Sequence, residues 1–470
     1  MNRALPLAAS TLLLAVAAAS AQDTRGAQAS PGRAHLDAAR AAGDKGDWRG
    51  AVLECNRALR SDPSNAEVYI RLGAAYGELK EWDEALRALR RAVALVPSSA
   101  AAHYNLGVTL ERAKPGSGAG IPEFRKALEL DPRAASAMVN LAVGLGDQSP
   151  QEARRLLERA GRLDPRSAEV PYNLGLLLRN AGERARAIEA FQKAVALNPD
   201  FLDARRQLAL LLVAAERWDE NLEQCREILK RDARDWNARY SLGQTLIRRG
   251  LEEEGRRELQ RAQETRRAEQ ARQDAEKAIG RGVAALRAGK PEAAAAEFRA
   301  ALETDARSAL AHMYLGMALA SLDQRQDGLA ELDRAVELEP QGARARHNRG
   351  TLLLQLGRAA EARADFDRAL ELDPYFAETH NNLGMILAAT GDPRAALEHF
   401  RLATEIDPGY VEGLFNLGLC LRSLGRLDEA IAALRRAARR APDNRQVQSA
   451  LETCLKERAA APKRNPGPRP

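Results

Sequence analysis

The chain has 470 residues, of which 45% are hydrophobic, 29% are charged and only 4% are aromatic. It is too long for one hydrophobic core, and its many alanine, leucine, arginine and glutamate residues favour helix. Its 71 basic residues nearly balance 65 acidic ones, leaving a net charge of +6 without any block of basic residues alone. Mixed charge of this kind is typical of a solvated surface, so we expect no nucleic-acid partner.

Residues 1–21 form a separate segment at the N-terminus. Arg3 gives it a positive start, an apolar run follows, and Ala19-Ser20-Ala21 matches the small-residue pattern of a cleavage site. We predict a signal peptide cleaved after Ala21, a linker over 22–31, and a periplasmic or secreted protein of bacterial origin. The alternative is a retained membrane anchor, because the run approaches the ~20 residues of a spanning helix. No later segment is apolar enough to span a membrane.

A repeat of 34 residues begins near residue 32 and continues along almost the whole chain. We number its positions so that a Leu-Gly pair occupies positions 7 and 8. In the first array, 32–269, about seven units have a small residue at position 8, and most end with proline at position 32. Those prolines are Pro63, Pro97, Pro132, Pro165 and Pro199. The seventh unit lacks this proline, and its sequence predicts a long, charged second helix.

Five residues, 270–274, interrupt the period before a second array of five units occupies 275–444. The glycines at position 8 of that array are Gly282, Gly316, Gly350, Gly384 and Gly418. We predict that the charged helix around 253–278 is a solvated spacer, with a hinge or a self-association surface as the alternative. A capping helix over 445–459 and a disordered, proline-rich tail over 460–470 complete the predicted organisation.

The recurring residues predict two helices in each unit. Positions 4, 7, 8 and 11 share one face of a first helix, and positions 20, 24 and 27 share a face of a second. Turn sequences such as Thr390-Gly391-Asp392-Pro393 separate the two helices, and the proline at position 32 ends the second. Each hairpin has apolar surface on both broad sides, so consecutive hairpins must stack.

This pattern resembles the tetratricopeptide repeat family over about residues 32–459, and it is specific because it recurs some twelve times at fixed spacing. The resemblance implies an all-α fold, a right-handed superhelical solenoid of about twelve helix-turn-helix repeats. It also implies that the first helix of each hairpin lines a concave inner surface. Positions 2, 5, 6, 9 and 13 are then the candidates for contact with partners.

Position 6 carries asparagine in six units, namely Asn105, Asn140, Asn173, Asn348, Asn382 and Asn416. Because an amide both donates and accepts hydrogen bonds, a row of amides could hold the backbone of an extended peptide. The row resembles the asparagine ladder of O-linked N-acetylglucosamine transferases, although Gln207, Ser241 and Tyr314 divide it into one patch per array. Further predicted contacts beside it are Tyr104, His347, Asn381 and Phe415. A purely structural role is the alternative.

Catalytic and metal-binding chemistry has little support in the sequence. Four of the six histidines fall at position 4, which repeat packing explains, and no HExxH, GxSxG or P-loop pattern occurs. Cys55 and Cys225 fall at the buried position 24, and the repeat places Cys420 and Cys454 too far apart to favour a disulfide. We therefore predict no enzyme activity, no cofactor and no metal site.

The predicted function is that of a non-enzymatic protein–protein interaction scaffold. It would be exported and would bind extended segments of partner proteins in its concave groove, for assembly of an envelope complex. A cell-wall or polysaccharide-associated adaptor, serving export or peptidoglycan assembly, is the alternative. A transferase-associated repeat protein is disfavoured because the repeats occupy the whole mature chain. The binding role comes from the family resemblance, since periodicity alone predicts only a long helical surface.

Overall fold

The computed structural model describes residues 31–460, and within this range the chain forms helices and turns without a β-strand. The helices, numbered in chain order, are α1 Pro31–Asp44, α2 Trp48–Ser61, α3 Ala66–Glu78, α4 Trp82–Leu95, α5 Ala100–Ala113, α6 Ile121–Leu130, α7 Ala135–Leu145, α8 Pro150–Leu163, α9 Glu169–Asn180, α10 Arg184–Leu197, α11 Leu202–Ala214, α12 Trp218–Arg231, α13 Trp236–Arg248, α14 Glu252–Arg287, α15 Pro291–Thr304, α16 Ala309–Ser321, α17 Arg325–Leu338, α18 Ala343–Gln355, α19 Ala359–Leu372, α20 Ala377–Ala389, α21 Pro393–Ile406, α22 Val411–Ser423, α23 Leu427–Arg440 and α24 Arg445–Ala460. A short 3-10 helix, Gly146–Gln148, follows α7. The predicted signal peptide, nearly all of the linker and the tail after Ala460 lie outside the described residues.

The helices form two compact units, one ending at Arg267 and the other beginning at Ala268. Substantial contacts between helices join elements that are one or two places apart in the chain. Helix α14 is continuous over 36 residues and passes from the first unit into the second. The residues predicted to break the repeat register, 270–274, lie inside this helix. Among residues 31–460, none of the helices combines the length and the hydropathy that a membrane span requires.

The turn inside the hairpins places one residue, at position 15, in the left-handed backbone region. Seven hairpins use glycine there, which adopts positive φ without steric cost. These are Gly46, Gly182, Gly250, Gly289, Gly357, Gly391 and Gly425. Three hairpins use Lys80, Glu216 and Asp323, with φ of 61°, 57° and 61°. The same turn therefore forms with glycine and with residues that disfavour positive φ, because packing of the two helices fixes the conformation of the connection.

Position 8 on the first helix packs against position 24 on the second. A Cβ atom added to Gly175 would lie 2.7 Å from Cε1 of Phe191, closer than van der Waals contact allows. Where position 8 is alanine in the first and sixth hairpins, position 24 is a cysteine instead of phenylalanine or leucine, giving the pairs Ala39 with Cys55 and Ala209 with Cys225. In these two hairpins a larger residue on one helix is thus offset by a smaller one on the other. The fourth hairpin does not follow this pairing, because it has Ala142 at position 8 and Leu157 at the equivalent of position 24. We did not predict this pairing, although both positions are visible in the sequence.

In most hairpins a polar side chain at position 4 links the first helix to its surroundings by hydrogen bonds, and the apolar exceptions are Met138, Pro171, Ala278 and Leu414. The polar side chain donates to the backbone carbonyl six residues earlier, as His103 does to Pro97 at 3.0 Å and Arg205 to Pro199 at 2.8 Å. The same side chain also contacts position 23 of the second helix, and the Arg239–Glu258 ion pair at 2.8 Å is one example. Position 4 therefore ties together the preceding loop and both helices of its own hairpin, which explains why four histidines recur there.

Candidate functional site

A cavity of about 380 Å³ opens on the first helices of three consecutive repeats in the second unit. The lining residues come from α14, α16 and α18 together with one residue of α17, and they are Leu286, Met317, Ala320, Ser321, Leu332, Asn348, Thr351, Leu352 and Gln355. Five of them, on α16 and α18, occupy repeat positions 6, 9 and 13, which the sequence indicated as candidates for partner contact. The wall combines apolar side chains with an amide and a hydroxyl, so it suits an apolar group accompanied by a hydrogen-bonding backbone.

Polar side chains connect α18, α20 and α22 across the same unit. The amide Nδ2 of Asn382 donates to Thr351 Oγ1 at 3.3 Å, and Asn416 Nδ2 donates to Asn381 Oδ1 at 2.9 Å. His347 Nδ1 lies 2.8 Å from Thr379 Oγ1. Helix α20 is therefore held between its two neighbours by three side-chain contacts. The predicted residues of this unit come together in one region, and all of them remain partly exposed except Asn381, which is buried.

The two aromatic residues predicted in this region are packed as well as partly exposed. His347 packs against the rings of Phe366 and Phe376, with centroids 5.8 and 4.4 Å away. Burial lowers the pKa of His347 from its ordinary value of 6.5 to about 4, so the ring is neutral at neutral pH. Phe415 packs against the apolar core of the second unit. Both side chains can offer an edge to a partner while stabilising the hairpins.

Position 9 contributes further residues to the candidate binding surface, and these were not among the contacts predicted from the sequence. Met317 lines the cavity, and Met385 is 37% exposed at the same position two repeats later. Val283 and Leu419 occupy the equivalent places on α14 and α22, so position 9 is apolar on every first helix of this unit except α18, which has Thr351. Methionine adapts its shape to irregular apolar surfaces, which suits it to a binding site. The sequence could have identified these residues, because position 9 was among the positions predicted to line the inner face.

In the first unit the position-6 asparagines are buried. Asn105, Asn140 and Asn173 are 0%, 2% and 2% exposed, and their Oδ1 atoms accept no hydrogen bond within the described residues. Asn105 donates to Ala101 of its own helix, and Asn140 donates to the hydroxyl of Tyr104, itself only 6% exposed. A partner could reach these amides only after the neighbouring side chains moved. Direct contact at these residues stays a prediction.

Two large apolar side chains are exposed on neighbouring first helices at the end of the first unit. Leu210 on α11 is 60% exposed and Tyr240 on α13 is 44% exposed, and these two helices are in contact. The Tyr240 hydroxyl accepts a hydrogen bond from Gln244 at 2.8 Å. The two residues occupy positions 9 and 5 of adjacent repeats. Neither was among the predicted contacts, although the same positional argument would have selected them.

The cysteines of the described residues are buried, and their potential metal ligands do not form clusters. Within residues 31–460, no three histidine, cysteine or carboxylate side chains come close enough together to hold a metal ion. All four cysteines are free and buried. Burial raises the pKa of the Cys55 thiol to about 12 and that of Cys225 to about 11, which disfavours the thiolates that nucleophilic chemistry needs.

Comparison with protein-family models assigns the chain to a family. A model described as "Tetratricopeptide repeat" matches residues 36–85, 136–200, 172–235, 206–275, 279–325 and 380–445. A second model of that description matches 343–409, and a "TPR repeat" model matches 78–113. Because the first model alone matches more than half of the chain, the protein belongs to the tetratricopeptide repeat family. The predicted all-α fold of stacked helix-turn-helix repeats is confirmed, and it is the fold of scaffolds that bind other proteins.

Several solved structures are similar in fold. The APC/C hetero-tetramer Cut9–Hcn1 is 14% identical, with 91% of this chain and 96% of that chain covered and a TM-score of 0.37. YrrB, described as a TPR protein with an unusual peptide-binding site, is 25% identical over 40% of this chain and 97% of its own, with a TM-score of 0.32. TTC0263, a thermophilic TPR protein of Thermus thermophilus, is 21% identical over 39% of this chain and 99% of its own, with a TM-score of 0.34. No curated protein matches the sequence.

Proposed function

We propose that the chain is a non-enzymatic scaffold that binds an extended segment of a partner protein on the inner face of its second unit. The observation that carries this proposal is the cavity beside Met317, Asn348 and Thr351, because its lining comes from consecutive first helices at positions 6, 9 and 13. An apolar side chain of the partner fills the cavity. The backbone of the segment then runs along the partly exposed amides of Asn348, Asn382 and Asn416.

The charge of this surface indicates the kind of segment that fits. The residues that line the cavity carry no formal charge, and Met317 and Leu286 supply its apolar part. A charged side chain would lose its hydration there without gaining a partner, at a cost of several kcal/mol. The expected segment therefore has uncharged, apolar residues at its centre. Its affinity comes mainly from the buried anchor, and the amides fix its direction and register.

Site-specific photo-crosslinking tests this proposal. A photo-reactive residue replaces Met317 in one variant and Arg334, which is exposed on α17, in another. We expect the first variant to crosslink to one contiguous partner segment and the second to give no such product. A synthetic peptide of the captured segment then serves for titration. Crosslinking of equal yield and identity at both positions would refute the assignment.

Amide variants measure the contribution of the asparagines to affinity for that peptide. Asn348→Ala and Asn382→Ala should each weaken binding roughly threefold to tenfold, which corresponds to the loss of one net hydrogen bond of about 0.5–1.5 kcal/mol. The matched control is Gln326→Ala, which removes an exposed amide from α17 and should leave the affinity unchanged. Unchanged affinity in both asparagine variants would eliminate the amide row as a backbone contact.

We further propose that the protein is exported and serves the assembly of an envelope complex. The support is the sequence of residues 1–21, with its positive start, apolar run and small-residue cleavage pattern. Mass determination of the protein purified from its native source should give an N-terminus at Gln22. A mature chain that begins at Met1 would favour the retained membrane anchor instead.

A further inference from the structure

One hairpin of the second unit departs from a contact that recurs elsewhere in the chain. In three hairpins the position-4 histidine meets a glutamate at position 23, at Nδ1–Oε2 distances of 2.6 to 2.7 Å. These pairs are His35 with Glu54, His103 with Glu123, and His312 with Glu331. In the hairpin of α20 and α21 the acidic partner is replaced by a second histidine. His380 Nδ1 and His399 Nδ1 lie 3.0 Å apart, and the ring centroids are separated by 5.2 Å.

The hydrogen bonds of this pair define its protonation state. His380 Nε2 lies 3.1 Å from the carbonyl oxygen of Pro374, which can only accept. Neutral His380 therefore carries its proton on Nε2 and presents a lone pair at Nδ1. The 3.0 Å contact then requires His399 to donate its Nδ1 proton to that lone pair. The contact therefore requires an unprotonated Nδ1 on His380.

Protonation affects the histidine pair and the histidine–glutamate pairs in opposite ways. A first proton can enter at His399 Nε2, because Nδ1 of that ring still donates to His380. A second proton at His380 Nδ1 sets two N–H groups and two positive charges against each other at 3.0 Å, so the contact must open. A histidine beside glutamate gains an ion pair when it is protonated. The replacement of glutamate by His399 thus makes one hairpin sensitive to acid.

The surroundings of the pair, taken together, also disfavour protonation of both rings. Burial is the largest influence on both rings and lowers the pKa of His380 and of His399 below the ordinary 6.5. The hydrogen bond to the Pro374 carbonyl raises the pKa of His380, His399 lowers it further, and Asp373 raises it. On His399, Asp367 and Glu398 favour the charged ring and Arg363 disfavours it. Because the folded hairpin binds fewer protons than the unfolded chain, its stability is greatest above pH 6.5 and falls as the pH decreases below that value.

The position of His380 couples this pair to the proposed binding surface. His380 is followed directly by Asn381 and Asn382, which connect α20 to α22 and α18 through Asn416 and Thr351. A displacement of α20 from α21 would disturb both contacts. The buried His347 on α18 keeps its neutral form to a lower pH, because its pKa is about 4. By the same linkage His347 also costs stability below pH 6.5, because its folded pKa lies below the ordinary value. The His399 variants therefore isolate the part of the acid response that originates at the His380–His399 pair.

We propose that the His380–His399 contact is an acid-sensitive closure that holds α20 against α21 and thereby regulates the inner face of the second unit. The conformational part of this proposal is independent of the proposed function. Only its consequence for peptide affinity rests on that function.

Hydrogen–deuterium exchange of the full chain at about pH 7.5 and 5.5 tests the closure, after correction for the intrinsic pH dependence of exchange. We expect peptides of α20 and α21 to exchange roughly threefold or more faster at the lower pH, relative to those of α16 and α17. His399→Glu should abolish this difference, because it creates the pair found in three other hairpins. His399→Gln, which also leaves only one titrating ring, serves as a second variant should His399→Glu fail to fold.

A reciprocal variant provides the positive control. Glu331→His converts the His312–Glu331 pair into a pair of histidines and should transfer the acid response to α16 and α17. Equal acid dependence of α20 and α21 in the wild type, His399→Glu and His399→Gln would overturn the proposal. Peptide titration at both pH values then addresses regulation alone. An exchange response without a change of peptide affinity would overturn the regulatory role and leave the closure intact.

Discussion

At Gly175 the absence of a Cβ atom allows α9 to pack closely against α10. A Cβ atom at this residue would meet the Phe191 ring at 2.7–2.9 Å. Gly175→Ala should therefore lower the free energy of unfolding by about 1–3 kcal/mol, the usual cost of overpacking, as measured by urea denaturation. Gly280→Ala is the control, because it has no neighbour within 4 Å and should stabilise α14 by about 0.5–1 kcal/mol.

The double variant Gly175→Ala/Phe191→Cys reproduces the alanine–cysteine pairs of the first and sixth hairpins. Phe191→Cys alone removes a large buried ring and should cost about 3–5 kcal/mol by analogy with other truncations of core aromatics. The double variant should cost less than the two single changes together, since the smaller partner accommodates the methyl group. Strictly additive costs would mean that positions 8 and 24 do not compensate each other.

The four thiols provide a residue-scale test of burial. The pKa of Cys55 is raised to about 12 and that of Cys225 to about 11 by burial, so both remain protonated at about pH 8. A thiol reagent such as DTNB should react slowly with the native chain at that pH and rapidly with four thiols in denaturant, since all four are free and buried. Fast reaction of Cys55 or Cys225 in the native chain would show that these thiols are not buried.

At the scale of the helical elements, packing of the two helices sets the conformation of the hairpin turn. The turn therefore tolerates a residue that disfavours positive φ. Glu216 adopts a φ of 57°, which costs a side-chain residue about 1–2 kcal/mol. Glu216→Gly should relieve part of this strain and raise the free energy of unfolding by about 1 kcal/mol in urea denaturation. Gly391→Ala is the reciprocal change, because φ is 89° there and the space is open, so it should destabilise. If both changes left stability unaltered, the turn would carry no strain.

Helix α14 was predicted as a long charged element, and its 36 residues form one uninterrupted helix. Its exposed part is supported by pairs such as Arg272 with Glu269 and Lys277 with Asp274, at 3.0 Å each. Such exposed pairs contribute little to stability, so the helix is anchored chiefly by its ends, through buried residues such as Ala262 and Ile279. Self-association through residues 253–278 stays a prediction.

At the scale of the whole molecule, contacts between near neighbours imply that perturbations remain local. Helices of a repeat array contact only their neighbours, so stability is nearly a sum of unit and interface contributions. Gly175→Ala should therefore accelerate hydrogen exchange in α9, α10 and the adjoining helices. Peptides of α16 to α23 should exchange at the wild-type rate. Uniform acceleration across both units would show that the chain unfolds as a single cooperative body.

The fold followed from the sequence because a period of 34 residues with small, apolar and proline positions leaves few ways to pack. Fixed spacing puts the apolar positions on defined faces of two helices, and those faces can be buried only by stacking. The inner-face positions were likewise determined by the repeat. The sequence could therefore indicate where a partner would bind, and the position-9 methionines were within its reach.

Tertiary structure decided what each of those positions presents. Six asparagines occupy one repeat position, yet three are buried in the first unit and three remain partly exposed in the second, and only Asn348 lines the cavity. The sequence also contained His380 and His399, but not the 3.0 Å contact between their rings. Exposure and hydrogen bonding depend on the side chains of adjoining repeats, which the repeat leaves free to vary. Periodicity fixes the place of a residue, and its neighbours in space fix its chemistry.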